Sequence, residues 1–355
     1  MNEKQLDKMW DDNGIVRGES CIFIEDTRAR LLFKPAEILR VTTFDNSEIY
    51  VPGRDYEMTE EGIEWKEGGR IPFVRMEDMY FDPTSVKLYP DPDCKAIAGG
   101  PDGKAIRFAR GTWYMEHQFF VDYRPQVNDF PELVMVDNGF RESFEERLKK
   151  KGKFVFTCIG DSIAAGYNSS AFCKVAPWKE GFPELVMDGL EKTCGITIDR
   201  RNHAISGTGI KHAWDIKDKW LNDKPDLLVI AYGMNNFSNM TAEEFVAELK
   251  KIIAAAHEAR PDTLILTVSS MAGNSEWRNT PPKPAREYAE AMQRLAEATP
   301  LLGYADVYSA WEFLRERKGY YCLTGNGVNH PNDYGFMVYA NVILEQLLPK
   351  AYSLR

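Results

Sequence analysis

The feature that most constrains this chain is a change of pattern near residue 151. Beyond it, short apolar runs alternate with segments of helical periodicity. Residues 154–159 (FVFTCI) form an unbroken run of the kind found in parallel strands buried on both faces. Residues 179–193 have a helical pattern. Residues 196–198, 226–232, 263–268 and 304–308 are four further strand candidates, the last a short one. Thr241 and Glu244 are spaced as a capping box that opens a helix to about His257, and helices are expected over 285–298 and 334–349. Repeated strand–helix units predict an α/β domain, with a parallel sheet between two layers of helices. Ligands in such sheets bind at the carboxyl ends of the strands, so those ends are where chemistry is sought.

The first half follows a different pattern. Residues 31–33, 38–44, 47–51 and 63–65 are short β-favouring runs, and Asp45-Asn46 separates two of them as a hairpin turn would. Gly68-Gly69 and residues 99–103 are breakers, and residues 113–123 are rich in aromatics. Many short strands with turns between them suggest a β-sandwich. The expected organisation is a β-rich sandwich over 1–138, a charged connector helix over 139–152 and the α/β domain over 153–355. A length of 355 residues suits two domains. The first module could bind sugar or only brace its neighbour.

Composition excludes several functions. A net charge of −10 argues against binding a nucleic-acid backbone. The six cysteines are scattered with no C-x-x-C pair, which favours free thiols over disulfides or zinc. With five histidines and no H-E-x-x-H, no metal site is expected. No apolar stretch approaches the ~18 residues of a membrane span. The first residues lack the apolar core of a secretion signal, so a cytoplasmic location is expected.

Four strand-end segments stand out. Gly160-Asp161-Ser162 follows the first strand, where the serine could be a nucleophile or only a helix cap. Asn202 to Gly209 follows the second; its Gly207-x-Gly209 lacks the third glycine of a dinucleotide loop, because His212 stands there. Gly233-Met234-Asn235-Asn236 follows the third strand, and Gly325 to Asp333, containing His330-Pro331, precedes the last helix. Each alone has an ordinary structural explanation as a turn, a cap or a packed histidine.

Together, a serine, a glycine, an asparagine and a histidine in this order resemble the SGNH (GDSL-type) hydrolases, a family of esterases and acyl hydrolases. The resemblance covers about residues 153–349. It implies a flavodoxin-like three-layer α/β/α domain, and the first half is similar to the jelly-roll-like β-sandwich that precedes it in some members. It further implies that Ser162 is the nucleophile and His330 its general base. The Ser162 N–H, the Gly207 N–H and the Asn235 side chain would form the oxyanion hole. Two positions depart from the family pattern. Asn236 stands where an aspartate is usual, and Gly327 stands three residues before the histidine, where the family places its acid. The ring of His330 could instead be oriented by Asn326, by a backbone carbonyl or by a distant acid, or act in a dyad.

The loops flanking this site carry Tyr167, Asn168, Phe172, Trp178 and Trp277. Asp161, Trp178 and Trp277 are candidate substrate contacts. The resemblance implies a serine esterase for short acyl groups, O-acetyl esters of carbohydrates above all. It needs no cofactor, and its partner is a small-molecule or oligosaccharide ester rather than a nucleic acid or a membrane. An acyltransferase using the same residues and a non-catalytic sugar-binding protein are the alternatives.

Overall fold

The computed structural model describes residues 8–11, 13–150 and 152–354. Five strands form one parallel sheet: β1 (Lys153–Gly160), β2 (Thr197–Asn202), β3 (Leu227–Ala231), β4 (Leu264–Val268) and β5 (Leu302–Ala305). Their spatial order is β2-β1-β3-β4-β5, so the chain steps one way from β1 and then turns back past it. This is the flavodoxin-like order, whose reversal opens a crevice between β1 and β3. In register, Phe156 of β1 lies opposite Leu227 and Gly160 opposite Ala231. The two strands therefore end side by side, bringing Ser162 and Asn235 to one edge.

β3 and β4 are buried along their whole length, as their apolar runs require. β2 is one of the two edge strands and carries Arg200 and Arg201. Arg200 is held by Glu184, Asp188 and Glu191, which share one face of the helix α2 described below. Charged side chains on an edge strand oppose pairing with other chains.

Six longer helices cover the sheet: α1 (Phe140–Lys150), α2 (Phe182–Cys194), α3 (Ala242–Ala259), α4 (Pro282–Glu297), α5 (Val307–Lys318) and α6 (Asp333–Leu347). α2 packs on α6, and α3 on α4. The capping box at α3 is complete: Glu244 N–H donates to Thr241 Oγ1 at 3.2 Å, and Thr241 N–H to Glu244 Oε2 at 2.9 Å. α1 buries Phe140 and Phe144 against β4, β5 and α6, with Phe144 edge-on to Phe154 at 5.8 Å. The fifth strand lies earlier than its sequence suggests. Asp306 ends it and caps α5 by accepting from Ser309 N–H at 3.2 Å. A β-favouring run is thus split into strand and helix.

The N-terminal domain is built of small sheets, antiparallel except for the short parallel pairing of Phe23–Ile24 with Phe73–Val74. Its longest pairing sets Phe119–Pro125 between Val16–Cys21 and Pro35–Thr43. The expected turn at Asp45-Asn46 forms with Asn46 at φ +60°, but its second arm is reduced to a bridge at Ile49. Residues 31–33 are buried yet belong to no strand. Leu32 N–H donates to Glu19 Oε1 (2.7 Å) and Phe33 N–H to the Tyr123 hydroxyl (3.1 Å). Side chains thus satisfy the backbone groups that a ladder would otherwise pair.

One continuous apolar core runs through both halves. Several polar contacts between them fall on residues 321–332. The Gln118 side-chain amide donates to the carbonyls of Tyr321 and Thr324, both at 2.9 Å. Asn332 Nδ2 donates to Ser20 Oγ and Gln118 Oε1. Among the described residues, no helix is long and apolar enough to cross a membrane.

Candidate active site

Asp161 and Ser162 lie immediately after β1 and are both buried. The Asp161 carboxylate accepts from Ile163 N–H at 3.0 Å. Burial pushes its carboxyl up to about 7, against the backbone N–H groups of Ile163, Met234 and Ala164, which favour the charged form. The side chain therefore pins the turn that carries Ser162 to the end of β3. Residues 162–168 form a run of turns rather than the expected helix start. Positive φ at Gly166 (+76°) and Asn168 (+65°) breaks the helical path. Gly166 packs backbone to backbone on Gly181, where a Cβ on Gly181 would lie 2.5 Å from Gly166 Cα.

The segment from Thr324 to Asn332 carries His330. Asn326 Oδ1 accepts from the N–H groups of Val328, Asn329 and His330, each at 3.0 Å, and so folds this segment into a tight loop. The loop sets His330 Nε2 2.8 Å from Ser162 Oγ. The other ring nitrogen, Nδ1, lies 2.7 Å from Asn168 Oδ1. Burial lowers the imidazole to about 4, so the ring is neutral at pH 7.

Beyond β2, His203 N–H donates to Cys158 O (2.9 Å) and Ile205 N–H to Gly160 O (3.1 Å), carrying the segment along β1 towards Ser162. Asn202 Nδ2 adds a 2.9 Å bond to Ala164 O in the turn that follows Ser162. Gly207 follows with φ +77° in an exposed turn. Asn235 Nδ2 donates to Thr208 O at 3.0 Å, and Asn236 Oδ1 accepts from Ile210 N–H at 3.0 Å. The two asparagines after β3 thus anchor the glycine loop after β2. The β1, β2 and β3 ends form a single polar rim.

Residues 158–337 match the family model of GDSL-like lipases and acylhydrolases. The chain belongs to this family. It is a carboxylic ester hydrolase. No curated protein sequence matches it. Among solved structures, a two-domain esterase active on acetylated mannans is similar at 19% identity, over 61% of this chain and 54% of its own, with a TM-score of 0.47. A lipase/acylhydrolase from Enterococcus faecalis is similar at 21% identity, over 56% of this chain and 96% of its own (TM-score 0.44). A catalytic mutant of an acetylxylan esterase from Geobacillus stearothermophilus is similar at 21% identity over the same shares, with a TM-score of 0.43.

Several candidate residues of this acylhydrolase have other tasks. Asp161 is buried, and its carboxyl is bonded to backbone N–H groups. Asn326 does not touch the imidazole; its oxygen is saturated by the loop's own N–H groups. Trp277 is half-buried against Ile97, Ile106 and Val328, and its indole donates to Ala98 O at 3.1 Å, so it braces the N-terminal domain. Trp178 is 61% exposed on the loop that follows Ser162. Sequence reasoning placed Asn168 among the loop residues without giving it a partner. Its one legible signal is an asparagine after Gly166-Tyr167, a residue type that tolerates positive φ.

Proposed function

We propose that this acylhydrolase removes short acyl groups, O-acetyl groups of carbohydrates foremost, through an acyl-enzyme on Ser162 with His330 as base. The observation that carries this reading is the 2.8 Å contact between Ser162 Oγ and a neutral His330 whose second nitrogen is already bonded. Ser162 Oγ attacks the ester carbonyl carbon as its proton passes to Nε2. The oxyanion is received by the N–H groups of Ser162 and Gly207 and by Asn235 Nδ2. One Asn235 hydrogen is engaged by Thr208 O, which leaves the second to donate. Collapse expels the alcohol, which takes the proton from His330, and a water molecule repeats the sequence on the acyl-enzyme.

Two predictions arise here. Replacing Asn235 with alanine should lower kcat by about 10²–10³, with KM little changed, because the donor acts on charge that develops in the transition state. The pH profile of kcat/KM should be flat through neutrality and fall as pH drops through about 4, where His330 gains a proton and ceases to be a base. Initial rates across pH 3.5–8 on a soluble ester would read this limb. A midpoint near 7 would place the titrating base elsewhere.

The flanks of the site support the substrate class. Tyr167 meets the His330 ring edge-on at 5.9 Å and packs on Phe172 at 4.1 Å. Phe172 is 42% exposed, and with Trp178 it offers flat apolar faces of the size of a sugar ring. All six cysteines are free thiols, which suits a reducing compartment such as the cytoplasm. The test compares p-nitrophenyl acetate, butyrate and octanoate, then follows acetate release from acetylated oligosaccharides. Preference for octanoate would overturn the short-chain assignment. Failure to release acetate from any acetylated sugar would overturn the carbohydrate assignment.

A further inference from the structure

We infer that Asn168 is the positioning residue for His330, and that the N-terminal domain, through the backbone carbonyl of Ala109, sets which way its amide faces. The inference rests on the Ser162–His330 reading above. It adds a member to that site which neither the family pattern nor a carboxylate supplies.

A neutral imidazole has two tautomers, and only the one with its proton on Nδ1 can accept from Ser162. The Asn168 amide could serve either. With Oδ1 towards the ring, it accepts from Nδ1–H and leaves the Nε2 lone pair facing Ser162 Oγ. Turned over, it would donate to Nδ1 and force the proton onto Nε2, where it blocks the base. Asn168 Nδ2 lies 3.4 Å from Ala109 O and donates to it, so Oδ1 is the atom left for the ring, at 2.7 Å.

The backbone restricts the amide further. Asn168 is 4% exposed and stands at φ +65°, a left-handed conformation that asparagine tolerates better than most residues. Its Cβ is wedged on the histidine loop: a Cβ added to Gly325 would lie 2.7 Å from it. The segment that supplies Ala109 also closes the alternative place for an orienting acid. Gly327, three residues before His330, has φ +90°, and a side chain there would run into the Tyr114 hydroxyl and the Arg107 carbonyl. Ala109 N–H in turn donates to Asn326 O at 3.2 Å. Residues 107–114 of the N-terminal domain therefore shape both loops that meet at the imidazole.

The experiment reads the His330 tautomer and the kinetics separately. Nitrogen-15 NMR of the imidazoles, tractable with five histidines, is recorded at pH 7 for the parent, Asn168→Gly and Asn168→Asp. Glycine removes the amide without straining the positive φ, and aspartate keeps the shape and an acceptor. The parent should carry its His330 proton on Nδ1. Asn168→Gly should give a tautomer mixture, with kcat lowered by roughly 10²-fold or more and KM within about twofold. Asn168→Asp should restore the Nδ1–H form, recover kcat to within about tenfold of the parent, and raise the acid limb of kcat/KM by about one pH unit or more, because a carboxylate stabilises the imidazolium. A parent protonated on Nε2, or an Asn168→Gly variant with the parent's tautomer and kcat, would overturn the inference. If instead Ser162→Ala retains full activity, the functional reading fails while the tautomer result stands on its own.

Discussion

Replacing Ser162 with alanine is expected to lower ester hydrolysis by about 10⁴-fold or more while leaving the fold intact. Ser162 is 2% exposed, and its hydroxyl lies 2.8 Å from the imidazole of His330. Removing one oxygen opens little space, and the ring remains tied to Asn168. Nothing structural then stands between the substitution and its chemical consequence. Replacing His330 with alanine should cost a similar amount, since an unactivated hydroxyl is a poor nucleophile at pH 7. The double variant should be little worse than either single one, because nucleophile and base act as a unit. Background-corrected rates on p-nitrophenyl acetate, with far-UV circular dichroism as the fold control, would measure all three. A loss of less than tenfold in Ser162→Ala would remove Ser162 from the mechanism.

The parallel sheet was legible because its strands are buried on both faces and must read as apolar runs. Residues 227–231 and 264–268 gave this signal most cleanly. α3 was legible from a local chemical device, the Thr241–Glu244 box. α5 was not, because the run around Tyr304 to Tyr308 reads as β until Asp306 is recognised as a cap. Residues 31–33 have strand composition but spend their N–H groups on Glu19 and Tyr123, partners that local sequence does not disclose. The same limit applies at the site. Ser162, Gly207 and Asn235 follow strands, His330 lies in the loop before α6, and the four could be listed in order from the chain alone. Asn168 could not be paired with His330, because their contact depends on a loop with no periodicity and on a carbonyl from the other domain. Gly327 was readable as a departure, but its cause is the packing of Arg107 and Tyr114 against it. Trp277 shows the converse: an aromatic at a strand end was drawn into bracing rather than into the site.

The largest effect on stability is expected at Lys318→Met. Lys318 ends α5 and is ion-paired with Glu19 of the strand Val16–Cys21; both side chains are fully buried. Glu19 also accepts from Leu32 N–H and from the Tyr123 hydroxyl, each at 2.7 Å. The ammonium further lies 3.4 Å from Cys21 Sγ and from Arg30 O. Methionine matches the length of the chain but leaves the Glu19 carboxylate in an apolar interior with only neutral donors. Breaking one side of such a pair costs about 3–5 kcal/mol, most of it the uncompensated charge. Urea denaturation should register this as a lower midpoint. Adding Glu19→Gln should return part of the loss, because the buried charge is gone, the amide oxygen can still accept from Leu32 N–H, and the amide N–H can donate to the Tyr123 hydroxyl oxygen. The pair joins the two domains, and the chain runs directly from Lys318 to Cys322, whose carbonyl accepts from Ser20 and from Asn332. The variant should therefore lose esterase activity at lower urea concentration than the parent, in step with its unfolding. A stability loss under about 1 kcal/mol would mean that the pair behaves as a solvated surface bridge, and that the N-terminal domain is held by its apolar core alone.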